Sequence, residues 1–293
     1  MSLGEISLIT HTRNNARHLQ KLDDSTRWIK CRIAVDMQSN DGTVQLLQES
    51  GWEIIEIPPQ IWRDDIRNDF LSIPKTEWTL ALDSDEYLAD DAEANIKEIL
   101  AQANQEVIGF QIPRFNRFIG RSLEGSGWYP DYQLRLFRTN TVQYFKRYHR
   151  HPISKVEGGK IIRLNSTNQL HIHHDNYPSL EEFMDRQHTY KINDYYSKDP
   201  LEFDFDRYQI DAIRAFNDRY QTGKERDLAY ALALVMYWDQ LMRGLIHWEQ
   251  TGYQGELSHH IPNQVFFETQ SQQEKTSRIG FHRLLKKIQK KLR

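Results

Sequence analysis

Three acidic side chains stand within four residues at Asp83-Ser84-Asp85-Glu86. They follow the apolar run 78–82, which predicts a buried strand that ends at Asp83. Acids at this spacing repel one another, and a divalent cation such as Mg²⁺ or Mn²⁺ could supply the counter-charge. On a turn after a strand, Asp83 and Asp85 can face one ion that bridges the two phosphates of a ligand, with Ser84 turned away. A solvated acidic loop is the alternative.

The elements around this turn alternate between strand and helix. Apolar runs at 6–10, 33–36, 52–57 and 78–82 predict strands, separated by segments long enough for parallel pairing. This pattern predicts an α/β doubly wound sheet, in which ligands bind beyond the carboxyl ends of the strands. Thr10, Asp36 and Asp83 stand at such ends, so we expect them to face one crevice. Helices are predicted at 179–196, 205–220 and 226–250.

Segments 6–10, 35–43, 78–86 and 127–137 together resemble the family-2 glycosyltransferases. The last of them is similar to the branch that builds lipopolysaccharide cores and related surface glycans. The resemblance covers roughly residues 6–190. It implies a GT-A fold, with a Rossmann-like, mostly parallel sheet flanked by helices and a C-terminal helical extension. It also implies inverting transfer of a sugar from a nucleoside-diphosphate sugar to a glycan or lipid-linked glycan acceptor.

The resemblance further implies a role for each matching residue. Five positions would bind the nucleotide sugar: Thr10, Asp36, Arg67, Asp83 and Ser84. Asp83 and Asp85 would hold Mn²⁺ or Mg²⁺, with Asp85 the more direct ligand. The second motif departs from the family pattern at residues 37–38, which leaves the nucleotide open.

Asp131 is the candidate catalytic base. An inverting transfer needs one base beside the acceptor hydroxyl, and Asp131 matches the family's catalytic acid position in an aromatic-flanked turn. The structural alternative is that Asp131 pairs with Arg135 or caps the next strand. Several further arginines in this region, including Arg114 and Arg117, could hold phosphates or be solvated.

Two His-x-His pairs, at 149–151 and 171–173, each direct two imidazoles to one side of a strand, and His174 follows the second pair. Two such pairs could form a zinc site. The resemblance favours instead one histidine beside the metal and the diphosphate, and we predict His149, or His151 in its place.

Composition excludes some classes of protein. Hydrophobic residues are 39% and charged residues 27%, with a net charge of -3, which indicates a globular chain with no global attraction for nucleic acid.

Residues 278–293 carry seven Lys or Arg and no acid, and their apolar positions follow helical spacing. This segment predicts an amphipathic helix on an anionic membrane surface, or alternatively a helix packed on the body. With no signal peptide or membrane span predicted, we expect a cytoplasmic protein that is peripheral on the inner membrane face if its tail binds the membrane.

The predicted organisation is a catalytic domain over 1–178, a helical region over 179–262 and a polar linker with the basic tail over 263–293. Within the first, residues 1–105 would bind the donor and 106–178 the acceptor. Two other functions remain open: a non-catalytic nucleotide- or sugar-binding protein of the same fold, and a metal-dependent phosphoryl-transfer enzyme. The second would need a phosphate-binding loop, and no such motif occurs in the sequence.

Overall fold

The computed structural model describes residues 6–60, 63–145, 152–165, 170–195 and 204–252. Its helices are α1 Ala16–Thr26, α2 Thr43–Glu49, α3 Arg63–Phe70, α4 Ala92–Gln102, α5 Leu180–Tyr195, α6 Phe205–Thr222 and α7 Arg226–Gln250. Its strands are β1 Ile6–Thr12, β2 Cys31–Asp36, β3 Glu53–Glu56, β4 Trp78–Ala81, β5 Glu86–Leu88, β6 Val107–Phe118, β7 Arg121–Ser122, β8 Asp131–Arg138, β9 Val142–Gln143, β10 Ile153–Ser154, β11 Lys160–Arg163 and β12 Ile172–Tyr177.

The first four strands form a parallel half-sheet in the order β3-β2-β1-β4. Every residue of β1 and β4 is buried, because apolar side chains on both faces pack into the core. Leu8 and Ala34 belong to one apolar cluster, whereas their neighbours Ile9 and Val35 belong to the other. Strands covered on both faces in this way carry continuous apolar runs, which is the pattern that the sequence shows.

The second half of the sheet is mixed, in the order β8-β6-β12-β5 beyond β4. β8 runs antiparallel to both β4 and β6, while β12 is parallel to β6 and antiparallel to β5. Five of the nine pairings of the described sheet are parallel, so the predicted mostly parallel α/β sheet is confirmed. β5 follows the acidic turn directly, and its pairing with β12 draws residues 172–174 alongside that turn.

The element predictions agree closely with the structure, and the differences lie at the ends. β1 continues to Thr12, two residues beyond the predicted end at Thr10. α2 begins at Thr43 after Gly42, whose φ of 92° lies in the left-handed region. Thr43 is therefore the first helical residue, and its hydroxyl donates to Asp41 at 2.6 Å. The C-terminal helical extension is confirmed by α5, α6 and α7.

The chain divides into two compact units. One comprises residues 1–187 and 218–232 and contains the whole sheet. The other comprises 188–217 and 233–293, and its described part is helical. The predicted domain limits at 178 and 262 differ from this division and stay a prediction. The polar linker and the basic tail lie outside the described residues.

None of the helices in the described ranges is long and apolar enough to cross a membrane.

One buried aspartate fastens α1 to the parallel half-sheet. Asp23, on α1, is 1% exposed. Its Oδ1 accepts from Arg32 of β2 at 2.7 Å and from the indole of Trp52 at 2.8 Å, and its Oδ2 accepts from Arg27 at 3.1 Å. A buried carboxylate is stable only when it is paired and hydrogen-bonded, so these contacts determine how α1 sits on the sheet.

Asp23→Ala is expected to lower the free energy of unfolding by about 3 kcal/mol, because it leaves the Arg32 guanidinium and the Trp52 indole N–H without this partner. The matched variant is Asp24→Ala, which removes the next acid, an exposed partner of Arg27. It is expected to cost less than about 1 kcal/mol. Urea denaturation measures both, and equal losses would contradict the assignment.

Candidate functional site

Three loops at the carboxyl ends of β1, β2 and β4 are joined by polar contacts. The side-chain amide of Asn15 donates to the Ser84 hydroxyl at 2.8 Å, and its backbone N–H donates to the Thr43 hydroxyl at 2.9 Å. Asp36 closes the turn after β2 by accepting from the Ser39 hydroxyl at 2.5 Å and from the Ser39 N–H at 2.9 Å. The structure thus brings together the three strand ends that the sequence predicted to converge.

Asp83, the first residue of the acidic turn, is held by two arginines. Its Oδ1 accepts from Arg67 of α3 and its Oδ2 from Arg135 of β8. Its backbone N–H donates to Glu86 at 2.9 Å, which closes the turn on itself. Asp83 therefore lies where its carboxylate balances two cations brought from separate elements.

Glu86 carries the network across the sheet to Asp131. It is fully buried, and its Oε1 accepts from Arg135 and from Arg114, each at 2.7 Å. Arg114 also donates through Nε and a terminal nitrogen to Asp131 Oδ2, at 2.9 and 2.6 Å. The acidic turn and Asp131 are thus separated by a single guanidinium.

The environment of Asp131 favours its charged form. Burial alone would raise the pKa of this carboxyl, but the charge of Arg114 and hydrogen bonds from Asn116, Arg114 and Gln133 lower it below its ordinary value of 3.8. Asn116 donates to Oδ2 at 2.9 Å and Gln133 to Oδ1 at 2.7 Å. Asp131 is therefore ionised at neutral pH, as a base that receives a proton must be.

The arginines of this network are firmly charged. Burial acts against the charge of Arg135, yet Asp83 and Glu86 raise its pKa well above the ordinary value. The same holds for Arg114, whose pKa burial would lower but Glu86 and Asp131 raise. Arginines thus supply a counter-charge to Asp83 and Glu86, and the predicted role of Asp83 as a metal ligand stays a prediction. Sequence spacing could not reveal this, since the arginines come from α3, β6 and β8.

Asp85 has a different surrounding. His174 Nε2 lies 3.5 Å from its Oδ1, and an Arg186 nitrogen lies 3.4 Å from its Oδ2. His174 Nδ1 lies 2.7 Å from Asn116 Oδ1. The amide nitrogen of Asn116 donates to Asp131 and to the Trp128 carbonyl, so its oxygen must accept from a protonated Nδ1. Nε2 of the same ring faces the Asp85 carboxylate.

A carboxylate oxygen and an imidazole nitrogen that face each other can both coordinate a cation placed between them. Carboxylate oxygen and imidazole nitrogen both suit Mn²⁺. The hydrogen bond to Asn116 fixes the orientation of the imidazole, as a hydrogen bond to the other ring nitrogen does in metal-binding histidines. In the described part of the chain, no group of three or more His, Cys, Asp or Glu is arranged to hold a metal ion. The site therefore fits a cation only if a ligand such as a diphosphate, with water, completes the coordination.

The remaining predicted site residues are placed as follows. Thr10 is fully buried within β1, and its hydroxyl makes no hydrogen bond to the described residues. Arg67 is 7% exposed on α3 and reaches Asp83, as described. Ser84 is fully buried with its hydroxyl on Asn15, consistent with a side chain turned away from Asp83 and Asp85. Their roles toward a nucleotide stay predictions.

The histidines divide between the two sides of β12. His171 and His173 both pack on the Phe115 ring, at 5.1 and 5.9 Å between centroids, so this His-x-His pair does point to one side. His174 points to the other side, toward Asp85. His149 and His151 lie outside the described residues, so their predicted role as metal ligands is untested.

Sequence reasoning missed three residues of the network: Arg114, Asn116 and His174. Arg114 was grouped with other arginines as a phosphate binder or a surface residue. Each becomes recognisable only once β6 is known to lie between β8 and β12, since Arg114 is then opposite Asp131 and Asn116 opposite His174. The alternative that Asp131 pairs with Arg135 is wrong, because its arginine partner is Arg114.

No protein-family model matches the sequence. Among solved structures, the chain is similar to S. aureus TarS 1–349 in complex with UDP-GlcNAc, at 16% identity and a TM-score of 0.42, over 84% of this chain and 87% of that one. It is also similar to the mannosyltransferase PcManGT from Pyrobaculum calidifontis in complex with GDP-Man and Mn²⁺, at 13% identity and a TM-score of 0.43, over 86% and 76%. Similarity at this level establishes no function for this chain.

Arg135→Met is expected to lower the free energy of unfolding by about 3 kcal/mol or more, because the buried Glu86 and the partly buried Asp83 lose a shared cation. The matched variant Arg163→Met removes an arginine that is exposed and donates to Gln111 at 3.2 Å. It should cost less than about 1 kcal/mol. Chemical denaturation compares the two, and a small effect of Arg135→Met would show that the network does not hold the turn.

Proposed function

We propose that this chain is a metal-dependent glycosyltransferase of the GT-A type that uses a nucleoside-diphosphate sugar. One observation carries the proposal: a single charge network joins the acidic turn to Asp131, and the pair formed by Asp85 and His174 lies beside it. A site for the leaving diphosphate and a carboxylate for the acceptor are the two parts that such a transfer needs. The family resemblance of the sequence motifs supports the same assignment.

The donor side would use the loops at the ends of β1, β2 and β4. Thr10 and Asp36 would lie toward the nucleoside, with Arg67 and Asp83 toward the ribose and diphosphate. Asp85 and His174 would hold Mn²⁺ or Mg²⁺, which when bound neutralises charge on the leaving diphosphate. His149 and His151 remain alternatives to His174 as the imidazole ligand.

Asp131 would act on the acceptor. The acceptor hydroxyl oxygen forms a bond to the anomeric carbon from the face opposite the diphosphate, so the configuration inverts. The bond from that carbon to the diphosphate oxygen breaks, and its electron pair leaves with the nucleoside diphosphate. The hydroxyl proton passes to Asp131. Oδ2 of Asp131 already accepts three hydrogen bonds and Oδ1 one, which makes Oδ1 the oxygen with lone-pair capacity for the proton.

The proposed acceptor, membrane location and division into donor and acceptor sides rest on the sequence. The acceptor would be a glycan or lipid-linked glycan in the biosynthesis of lipopolysaccharide or a related surface glycan. Residues 278–293 would bring the cytoplasmic enzyme to the anionic inner face of the membrane as a peripheral protein. The sheet-containing unit would carry catalysis, with residues 1–105 on the donor side and 106–178 on the acceptor side.

The donor reaction can be tested without an acceptor, since hydrolysis releases nucleoside diphosphate. A panel of nucleotide sugars that includes UDP-GlcNAc and GDP-Man is incubated with Mn²⁺, Mg²⁺ or EDTA. We expect release from one donor with metal and loss of at least about tenfold in EDTA or in Asp85→Asn, because the leaving charge is then uncompensated. Asp90→Asn, in an exposed acid a few residues on, is the matched control and should release at the wild-type rate.

Nucleoside diphosphate binding is read by calorimetry in the same samples. Binding that requires metal, and that Asp85→Asn weakens while Asp90→Asn does not, supports the donor site even where hydrolysis is slow. An absence of binding with metal present would rule out the proposed donor site.

Asp131→Asn is expected to reduce sugar transfer about 10²–10⁴-fold while nucleoside diphosphate binding stays within about twofold, because the amide cannot take the acceptor proton. The structural alternative, that Asp131 only anchors Arg114, predicts a different result. Arg114→Lys keeps the Asp131 carboxylate but loses the two-nitrogen contact, so it should lower thermal stability and retain more activity than Asp131→Asn. Equal activity losses in the two variants would favour the structural alternative.

A further inference from the structure

The strands β5, β12 and β6 carry different chemistry on their two faces. His173 stands opposite Tyr87 on one side and Phe115 on the other. The rings of Tyr87 and His173 stack at 5.0 Å, those of His173 and Phe115 lie 5.9 Å apart at 13°, and Phe115 stacks on Tyr129 at 3.7 Å. Since neighbouring strand residues point to opposite faces, this row lies on the face away from Glu86 and His174.

A pocket lined by cationic side chains lies beside this row of rings. Its volume is about 230 Å³, and its lining includes Arg17, His18, Lys21, Arg117 and Asp175. Arg117 stands two residues beyond Phe115 on β6, and Asp175 two residues beyond His173 on β12. The volume is below the ~300–1,000 Å³ of sites that enclose drug-sized ligands, so it suits one small group of a larger molecule.

The cations of the pocket are held in place and outnumber the acid. Lys21 and Arg117 both pair with Asp175, and the Lys21 ammonium also lies 5.1 Å from the centre of the Tyr87 ring. One carboxylate thus serves two cations, and Arg17 adds a third whose partner, Glu182, lies outside the lining. An ammonium has three donors, so Asp175 leaves Lys21 able to bind a further acceptor.

His18 adds a neutral donor or acceptor instead of a fourth charge. Burial lowers its pKa below the ordinary 6.5, although the charge of Asp85 acts in the opposite direction. The pocket adjoins the acidic turn, because the Asp175 N–H donates to the Asp85 carbonyl at 3.2 Å.

We propose that this pocket binds a phosphate group between Lys21 and Arg117, separately from the diphosphate of the donor. A phosphate dianion matches an excess of cations contributed by two different elements, α1 and β6, which are preorganised by one shared acid. The pocket lies on the sheet face away from Glu86 and His174, so a phosphate bound there is separate from the proposed transfer site.

The test titrates the full chain with inorganic phosphate, and in separate samples with UDP and GDP in the presence of Mn²⁺. Lys21→Met is expected to weaken phosphate binding at least tenfold and to leave nucleotide binding unchanged. Its matched control is Lys97→Met, since Lys97 is also a half-exposed helix lysine paired with an acid, Glu93. That variant should bind phosphate like the wild type.

Asp175→Asn is expected to change the affinity for phosphate in the opposite direction to Lys21→Met. The amide oxygen can still accept from Lys21, but the negative charge that opposes the phosphate is gone, so phosphate binding should tighten severalfold. A purely structural role for Asp175 would instead loosen Lys21 and weaken binding. Thermal unfolding of each variant confirms that the fold is retained.

Three results would overturn the proposal: no phosphate binding by the wild type, equal weakening by Lys21→Met and Lys97→Met, or loss of nucleotide binding together with phosphate binding in Lys21→Met. A wild type that binds phosphate in the expected pattern but binds no nucleotide would leave the phosphate pocket standing. It would withdraw only the glycosyltransferase assignment.

Discussion

Burial of Glu86 is the constraint on which the site depends. A fully buried carboxylate is tolerated only with charge and hydrogen-bond partners, and here it has two guanidinium groups and a backbone N–H. Arg114 and Arg135 come from β6 and β8, so meeting the needs of Glu86 requires those strands to lie in one order and register. The same two arginines then orient Asp83 and Asp131. The positions of Asp83 and Asp131 are thus a consequence of supplying partners to one buried glutamate.

Because side chains alternate along β5, β12 and β6, one face of these strands carries a polar network and the other a row of aromatic rings. Glu86, Asn116 and His174 contribute to the network around Asp131 and Asp85. Tyr87 and His173 belong to a row of aromatic rings instead. Because His174 and Asp175 are consecutive, one short strand serves both the acidic turn and the cationic pocket. A shift in the register of β12 by one residue would exchange the two sets.

Much of the fold follows from local patterns. The apolar runs of β1, β2 and β4 predict a parallel sheet, and the polar residues at their ends predict a common crevice, because both inferences need only periodicity and chain order. The long α7 was predicted with the bounds that the structure has. The second half of the sheet could not be predicted in this way, since β12 pairs with β6, more than fifty residues earlier in the chain, and its neighbours are set by tertiary packing.

The same limit applies to the site. Asp83, Asp85 and Asp131 were recognisable because their motifs are contiguous in sequence. His174 was not distinguishable from the four other histidines of its region, because its selection rests on the opposition of Asn116 across β12 and β6. The arginine partners of the acids could not be predicted from the local charge pattern either. That pattern contains the acids of the turn, whereas the arginines come from three other elements.

Within the described ranges, the small number of candidate cation ligands has a consequence for the order of binding. One carboxylate and one imidazole, with an arginine 3.4 Å from the carboxylate, are too few to retain a hydrated Mg²⁺ or Mn²⁺ by themselves. If Asp85 and His174 are the ligands, the ion would enter and leave as a complex with the nucleotide. Free metal concentration would then matter chiefly through the fraction of nucleotide that carries an ion, and product release would carry the metal away with each turnover.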